Sequence, residues 1–248
     1  MTLRGASTLI CLLASTATAA PVGEKNEVVT FDDGVRVTLN SSANTLTSAP
    51  VHLVLYALPN GNTTLQSFGY RVPTTPKPDH NIQQIGAQTR WLRNRLTSTN
   101  LVVAFLQCDG LSWPAWRRKQ DPSGRQIANI LHSLHARYPA ESTTVTLTGH
   151  SGGGAFTFAY LDSTTQIPSF IRRIAFLDSN YGYKSEKHHG AKLATWLAKS
   201  PEHQLTVLAY QDYLALDKGK TFVSKNHGTW GRSLAMLYDL SRTTEFRL

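Results

Sequence analysis

The sequence predicts an α/β fold in a single domain: a mostly parallel sheet with helices on both faces, preceded by an antiparallel hairpin. Two kinds of observation carry that expectation. The runs Val51 to Ala57 and Leu101 to Leu106 are continuously apolar, as strands buried on both faces require, and segments with helical spacing alternate with them. Before them, the alternating runs Glu27 to Phe31 and Val35 to Leu39 are joined by Asp32-Asp33-Gly34, a short turn that brings the chain back antiparallel.

The 248 residues, 41% of them hydrophobic, are enough for one substantial core. No internal repeat is visible. A polar stretch over residues 40–49 leads into the first parallel strand, Val51 to Ala57. Ile82, Ile85, Leu92 and Leu96 then recur at helical intervals, and after the strand Leu101 to Leu106 the same spacing returns at Ile127, Ile130, Leu131 and Leu134, opened by Asp121-Pro122-Ser123. Val145 to Thr148, Ile171 to Leu177 and Leu205 to Tyr210 are further strands, separated by helices over Ala155 to Leu161 and Ala191 to Ala198. A short strand at Thr221 to Val223 and a helix over Ser233 to Leu240 close the chain, for about six parallel strands in all.

The first 19 residues pair Arg4 with the apolar run Leu9, Ile10, Cys11, Leu12, Leu13 and end in Ala17-Thr18-Ala19. That is the pattern of a secretory signal peptide cleaved after Ala19, leaving a domain over residues 20–248 in a secreted, periplasmic or other extracytoplasmic setting. The run is too short for the roughly 18 to 20 residues of a membrane span. Cleavage removes Arg4 and Cys11, lowers the formal charge from +9 to +8, and leaves Cys108 alone with no internal disulfide to form. Cys108 is expected as a small buried hydrophobe at a strand end.

The sequence pI is about 9.7. Its basic residues are scattered, with short clusters at Arg90, Arg93, Arg95 and at Arg117, Arg118, Lys119, and no nucleic-acid-binding module accompanies them. Nucleic acid is therefore not an expected partner; a solvated basic face is the default reading, and a weak attraction to anionic surfaces stays open beside it. No H-E-x-x-H metal motif, P-loop or G-x-G-x-x-G is present, so no metal and no cofactor are expected.

The most specific motif is Gly149-His150-Ser151-Gly152-Gly153, which matches G-x-S-x-G directly after a predicted strand and before a helix. A turn this tight holds its central serine in strained backbone, and small neighbours two residues to either side prevent clashes. Two other features stand at fitting places: Leu58-Pro59-Asn60-Gly61-Asn62 after the first parallel strand, and His227-Gly228 before the closing helix.

Together the hairpin, the Pro-Asn-Gly loop, the serine turn and the late His-Gly resemble the α/β-hydrolase superfamily over nearly the whole mature chain. The resemblance implies hydrolysis of a small-molecule or polymer ester through an acyl-enzyme on Ser151. Serine needs a base to take its proton and a carboxylate to orient that base, and in this fold they follow in the order serine, acid, histidine. His227 is the expected base, with His188 and His189 as competitors. Asp212, after the strand Leu205 to Tyr210, is favoured as the acid over Asp178, which follows Ile171 to Leu177. Gly152 and Asn62 are expected to supply the two backbone N–H groups of an oxyanion hole. Asn60 stands where many relatives of this fold carry histidine, and the interval from Leu177 to Leu205 leaves room for only a modest cap.

The loop Asp109 to Arg118 leaves a strand on the same sheet edge. Its Trp113, Trp116 and Arg117 either bind substrate, in a manner suited to an aromatic, glycan or anionic ester group, or form a packed loop with a solvated basic rim. Amide or peptide cleavage or acyl transfer by the same triad, and a catalytically idle fold that binds an acidic surface, are the alternatives.

Overall fold

The computed structural model describes residues 23–70, 83–120, 123–217, 219–221 and 223–243. The proposed signal segment, Ile82, Asp121 and Pro122 lie outside them. Seven strands form one sheet: β1 (Glu24–Phe31), β2 (Val35–Ser42), β3 (Val51–Ala57), β4 (Asn100–Cys108), β5 (Thr143–His150), β6 (Ile171–Leu177) and β7 (Gln204–Leu208). Their order across the sheet is β1-β2-β4-β3-β5-β6-β7. The first two make the expected hairpin, with Phe31 opposite Val35 and Gly34 at φ +77°, the left-handed residue that a three-residue loop demands. Its second strand joins the sheet antiparallel to β4, and β3 to β7 run parallel.

Five strands are thus parallel, not six. Thr221 does not extend the sheet: β8 (Leu216–Asp217) and β9 (Lys220–Thr221) pair only with each other, and β7 is left as the sheet edge. Two-residue strands of this kind bury too little to add to the sheet, and the residues of both are polar or exposed where described.

Helices α1 (Thr64–Phe68) and α2 (Ile85–Arg93) pack on one face, with β4 contributing Leu101, Val103 and Phe105 to the core between them. The alternate residues Val102, Ala104 and Leu106 point to the other face. There α3 (Trp113–Lys119), α4 (Ser123–His135), α5 (Gly154–Ser163) and α6 (His189–Ala198) cover the main core, and α7 (Thr229–Ser241) packs against α6. Leaving β3, the chain crosses to β4 on one side and later returns to β5 on the other side. The carboxyl ends of β3 and β5 therefore flank a topological switch point, the place where open α/β sheets bind ligands.

Cys108 ends β4 as a buried free thiol, and burial pushes its pKa up to about 11. Several histidines are held neutral. Burial lowers the pKa of His52 to about 4, with Arg173 adding to the effect, and its Nε2 shares a 2.8 Å hydrogen bond with Thr146. Burial lowers His135, His150 and His189 as well. A histidine whose folded pKa lies below its unfolded value near 6.5 binds its proton more readily in the unfolded chain, so acid favours unfolding. Asp33 and Asp178, whose pKa values burial raises, act in the opposite sense at lower pH. Denaturant titrations should show full histidine-linked stability above about pH 6.5 and a progressive loss as pH falls toward about 4. His52→Gln should make that slope shallower; a slope that is flat between those limits in the parent protein contradicts the assignment.

Candidate active site

Strand β5 ends at His150, and Ser151 follows with φ +51° in the left-handed region. For a residue with a side chain this conformation costs on the order of 1 to 3 kcal/mol and persists only where its surroundings impose it. They do so here. Ala57, the last residue of β3, is opposite Gly149, and a side chain at Gly153 would collide with the Ala57 carbonyl, while one at Gly152 would collide with the Asn60 amide. Backbone strain is concentrated along this edge: Leu111 after β4 and Asp178 immediately after β6 also have positive φ, +50° and +48°.

Ser151 and Gly152 line a cavity of about 780 Å³. Asn60 closes it from the β3 side, Arg117 and Arg118 from α3, Tyr181 and Gly182 from the turn after β6, and Val223 from the loop before α7. A 3-10 turn over Ser151–Gly153 leads straight into α5, so the Gly152 N–H belongs to the first turn, where no partner within the helix exists. The positive end of the α5 dipole lies at the same point. His150 is held beside the serine by a relay in which the Tyr56 hydroxyl donates to Gln83 and the Gln83 amide donates to His150 Nδ1.

The β3 side of the cavity offers an N–H without an acceptor, on Asn60 where Asn62 was expected. In the β3–α1 loop the Leu58 N–H donates to Leu106 at 3.1 Å, Gly61 to Leu111 at 2.8 Å and Asn62 to Pro59 at 3.3 Å. Pro59 has no N–H. Asn60 alone in this loop keeps an N–H without an acceptor among the described residues, and it lines the cavity, whereas Asn62 does not. The Asn60-Gly61 pair at the usual His-Gly position was the available signal; deciding between Asn60 and Asn62 needed the turn's hydrogen bonds.

Trp113 and Trp116 do not reach the cavity. They are the inward-facing residues of α3, 2% and 3% exposed, and pack edge-on against each other, with Trp113 also against Phe156. The Trp116 Nε1–H donates to the Asp33 carbonyl at 2.8 Å and so ties α3 to the first hairpin. Truncating buried indoles costs roughly 3 to 5 kcal/mol, which identifies them as core. Arg117, on the outer side of the same helix, lines the cavity and forms an ion pair with Asp162.

Both candidate acids lie at the carboxyl edge of the sheet and feel each other's charge. Asp212, 1% exposed, begins the turn after β7 and accepts the Thr229 N–H at 2.7 Å and the Trp230 N–H at 3.4 Å, capping α7. The Asp178 carboxylate faces the Tyr210 backbone and Thr229, both of which favour its charged form, but its Oδ1 is buried without a partner among the described residues. Burial raises its pKa, and the Asp212 charge adds to that. His227 is exposed, and its Nδ1 is 2.6 Å from the Ser224 hydroxyl; it bonds to neither aspartate nor to Ser151. Its neighbour Gly228 does lie against the Asp212 carboxylate, where any side chain would clash. The competing base His189 is sealed in the core, accepting the Lys184 N–H on Nδ1 and donating from Nε2 to Asp162. His188 sits at the start of α6 with φ +58°, outside the cavity lining.

Among the described residues no group of three or more His, Cys, Asp or Glu side chains is placed to hold a metal ion, and no helix is long and apolar enough to cross a membrane.

The sheet order, the strand-turn-helix elbow and the cavity at its tip define an α/β-hydrolase fold. No family model and no curated protein sequence matches the chain. Among solved structures, it is similar to a poly(3-hydroxybutyrate) depolymerase from Bordetella parapertussis, at 16% identity over 89% of this chain and 78% of that one, with a TM-score of 0.46. A cold-adapted esterase from an Arctic intertidal metagenomic library is 15% identical over 90% and 80% of the two chains, with a TM-score of 0.46. A bacterial brefeldin A esterase is 14% identical over 96% and 69%, with a TM-score of 0.42. These are likenesses in the course of the chain, and the site is read from its own residues.

Proposed function

We propose that the protein is an exported serine hydrolase that cleaves a carboxylic ester through an acyl-enzyme on Ser151. The observation that carries this reading is Ser151 itself, held at φ +51° at the mouth of a cavity that the Gly152 and Asn60 backbones also line, with no acceptor for either N–H among the described residues. The Ser151 Oγ attacks the acyl carbon and His227 takes its proton. Charge that develops on the carbonyl oxygen is stabilised by the Gly152 and Asn60 N–H groups. When the intermediate collapses, the bond to the alcohol oxygen breaks and His227 protonates the departing alkoxide. Water then attacks the acyl-serine by the same route and releases the acid.

This chemistry requires the His227 ring to leave Ser224, turn Nδ1–H to a carboxylate and present Nε2 to Ser151. Asp212 is the proposed partner, because the chain at Gly228 already rests on its carboxylate, and hydrogen bonds at apo sites commonly tighten only with substrate. One observation favours Asp178 instead: its Oδ1 is an open, buried acceptor. Steady-state hydrolysis of aryl esters separates the two. Ser151→Ala and His227→Ala should lose activity alike, Asp212→Asn should lower kcat by up to about 10⁴ per folded molecule, and Asp178→Asn should cost on the order of 1 kcal/mol of stability with kcat largely kept. A dead Asp178→Asn beside an active Asp212→Asn transfers the orienting role to Asp178, and full activity in Ser151→Ala removes the mechanism.

Export is proposed on the pattern of residues 1–19. N-terminal sequencing of protein recovered outside the producing cells should begin at Ala20; material that begins at Met1 contradicts cleavage.

A further inference from the structure

The wall of the cavity formed by α3 carries two guanidinium groups, Arg117 and Arg118, and among the described residues no aspartate or glutamate lines the cavity. The two arginines are not equivalent. Arg117 is bound to Asp162, a carboxylate that also accepts from Lys187 at 2.7 Å and from His189 at 2.8 Å. Asp162 thus already holds three donors on its two oxygens, and around it the cations Arg117, Lys187 and Lys192 outnumber the carboxylates Asp162 and Glu186. Positive charge is therefore left over behind the wall. Arg118, one residue further along α3, has no ion pair or hydrogen bond among the described residues and is exposed at the cavity.

Pro114, Gln120, Ala155, Tyr181 and Val223 line the same cavity as the two arginines and Ser151, and most of that lining is apolar. A substrate that places its ester carbonyl at Ser151 shares the cavity with a guanidinium that has no partner among the described residues. A guanidinium presents two parallel N–H donors that match a carboxylate, and an alkyl spacer suits the apolar part of the lining. A neutral substrate of the same length leaves Arg118 with water alone.

We propose that Arg118 recognises a carboxylate, so that the substrates of this site are esters bearing a free carboxylate at the end of a short chain. This rests on the hydrolase reading of Ser151 and narrows it from esters in general to anionic ones. Arg117 acts differently, because its guanidinium is already paired with Asp162.

The test compares the p-nitrophenyl monoester of glutaric acid with p-nitrophenyl hexanoate, which is of similar length and neutral. The expected ratio of kcat/KM is about tenfold or more in favour of the glutarate ester, equivalent to one good charge-assisted contact. It should shrink when NaCl is raised from about 20 to about 500 mM, as salt screens a partly exposed charge. Arg118→Gln should cut the ratio by about tenfold, and Arg118→Lys should restore part of it, since lysine keeps the charge and loses the fork. A ratio favouring hexanoate, or one that Arg118→Gln leaves in place, overturns the proposal. Calorimetric binding of monomethyl glutarate and methyl hexanoate to Ser151→Ala separates this claim from the catalytic one. Tighter binding of the glutarate ester that disappears in Ser151→Ala/Arg118→Gln supports the anion site even if the parent protein hydrolyses neither ester, in which case the hydrolase reading alone falls. Equal binding of the two overturns the anion site, whatever the turnover.

Discussion

The close approach between the end of β3 and the turn after β5 is the contact on which the site depends. The Ala57 carbonyl presses against Gly153 so tightly that no side chain fits there, and the Asn60 side-chain amide lies against Gly152. The contact at Gly153 fixes the turn, and the turn holds Ser151 in a backbone conformation that a free chain avoids. The hydrogen bonds of the β3–α1 loop leave the Asn60 N–H without an acceptor among the described residues, and Asn60 and Gly152 line one cavity. The sheet register explains why the two ends meet, since β3 and β5 are hydrogen-bonded neighbours with Ala57 beside Gly149.

The other half of the site is assembled on a looser frame. β7 is an edge strand, and the segment after it forms a small hairpin of its own in place of another sheet strand. The start of α7 is nevertheless anchored, because Asp212 accepts the Thr229 and Trp230 N–H groups. One buried carboxylate thus serves a helix cap and stands next to the loop of the proposed base. His227, on the exposed side of that loop, is held by Ser224 alone. The chemistry proposed at Ser151 accordingly requires the His227 ring to turn from Ser224 toward a carboxylate.

Much of this was legible in the sequence. Strands β3 to β6 are apolar enough, and the Gly149 to Gly153 motif distinctive enough, that the elbow follows from pattern and local sterics. The rest turned on facts that no local pattern carries. Trp113 and Trp116 beside two arginines fit a substrate loop as well as an amphipathic helix, and only the position of α3 over the core sends the indoles inward. The turn that engages the Asn62 N–H and leaves that of Asn60 without an acceptor among the described residues is not encoded in spacing. Thr221 to Val223 has strand-forming residues, but pairing requires a partner at the right distance, and the partner available to Thr221 is Leu216. The partner of His227 depends on a side-chain orientation, which spacing does not encode.

The central claim is that Ser151 is an activated nucleophile. Incubation with a fluorophosphonate followed by peptide mass spectrometry tests it directly, because the reagent adds only to a serine whose proton a base removes. The account predicts a single phosphonyl adduct on the peptide that contains Ser151, absent from Ser151→Ala. No adduct on the folded protein, or an adduct on another residue that persists in Ser151→Ala, would contradict it.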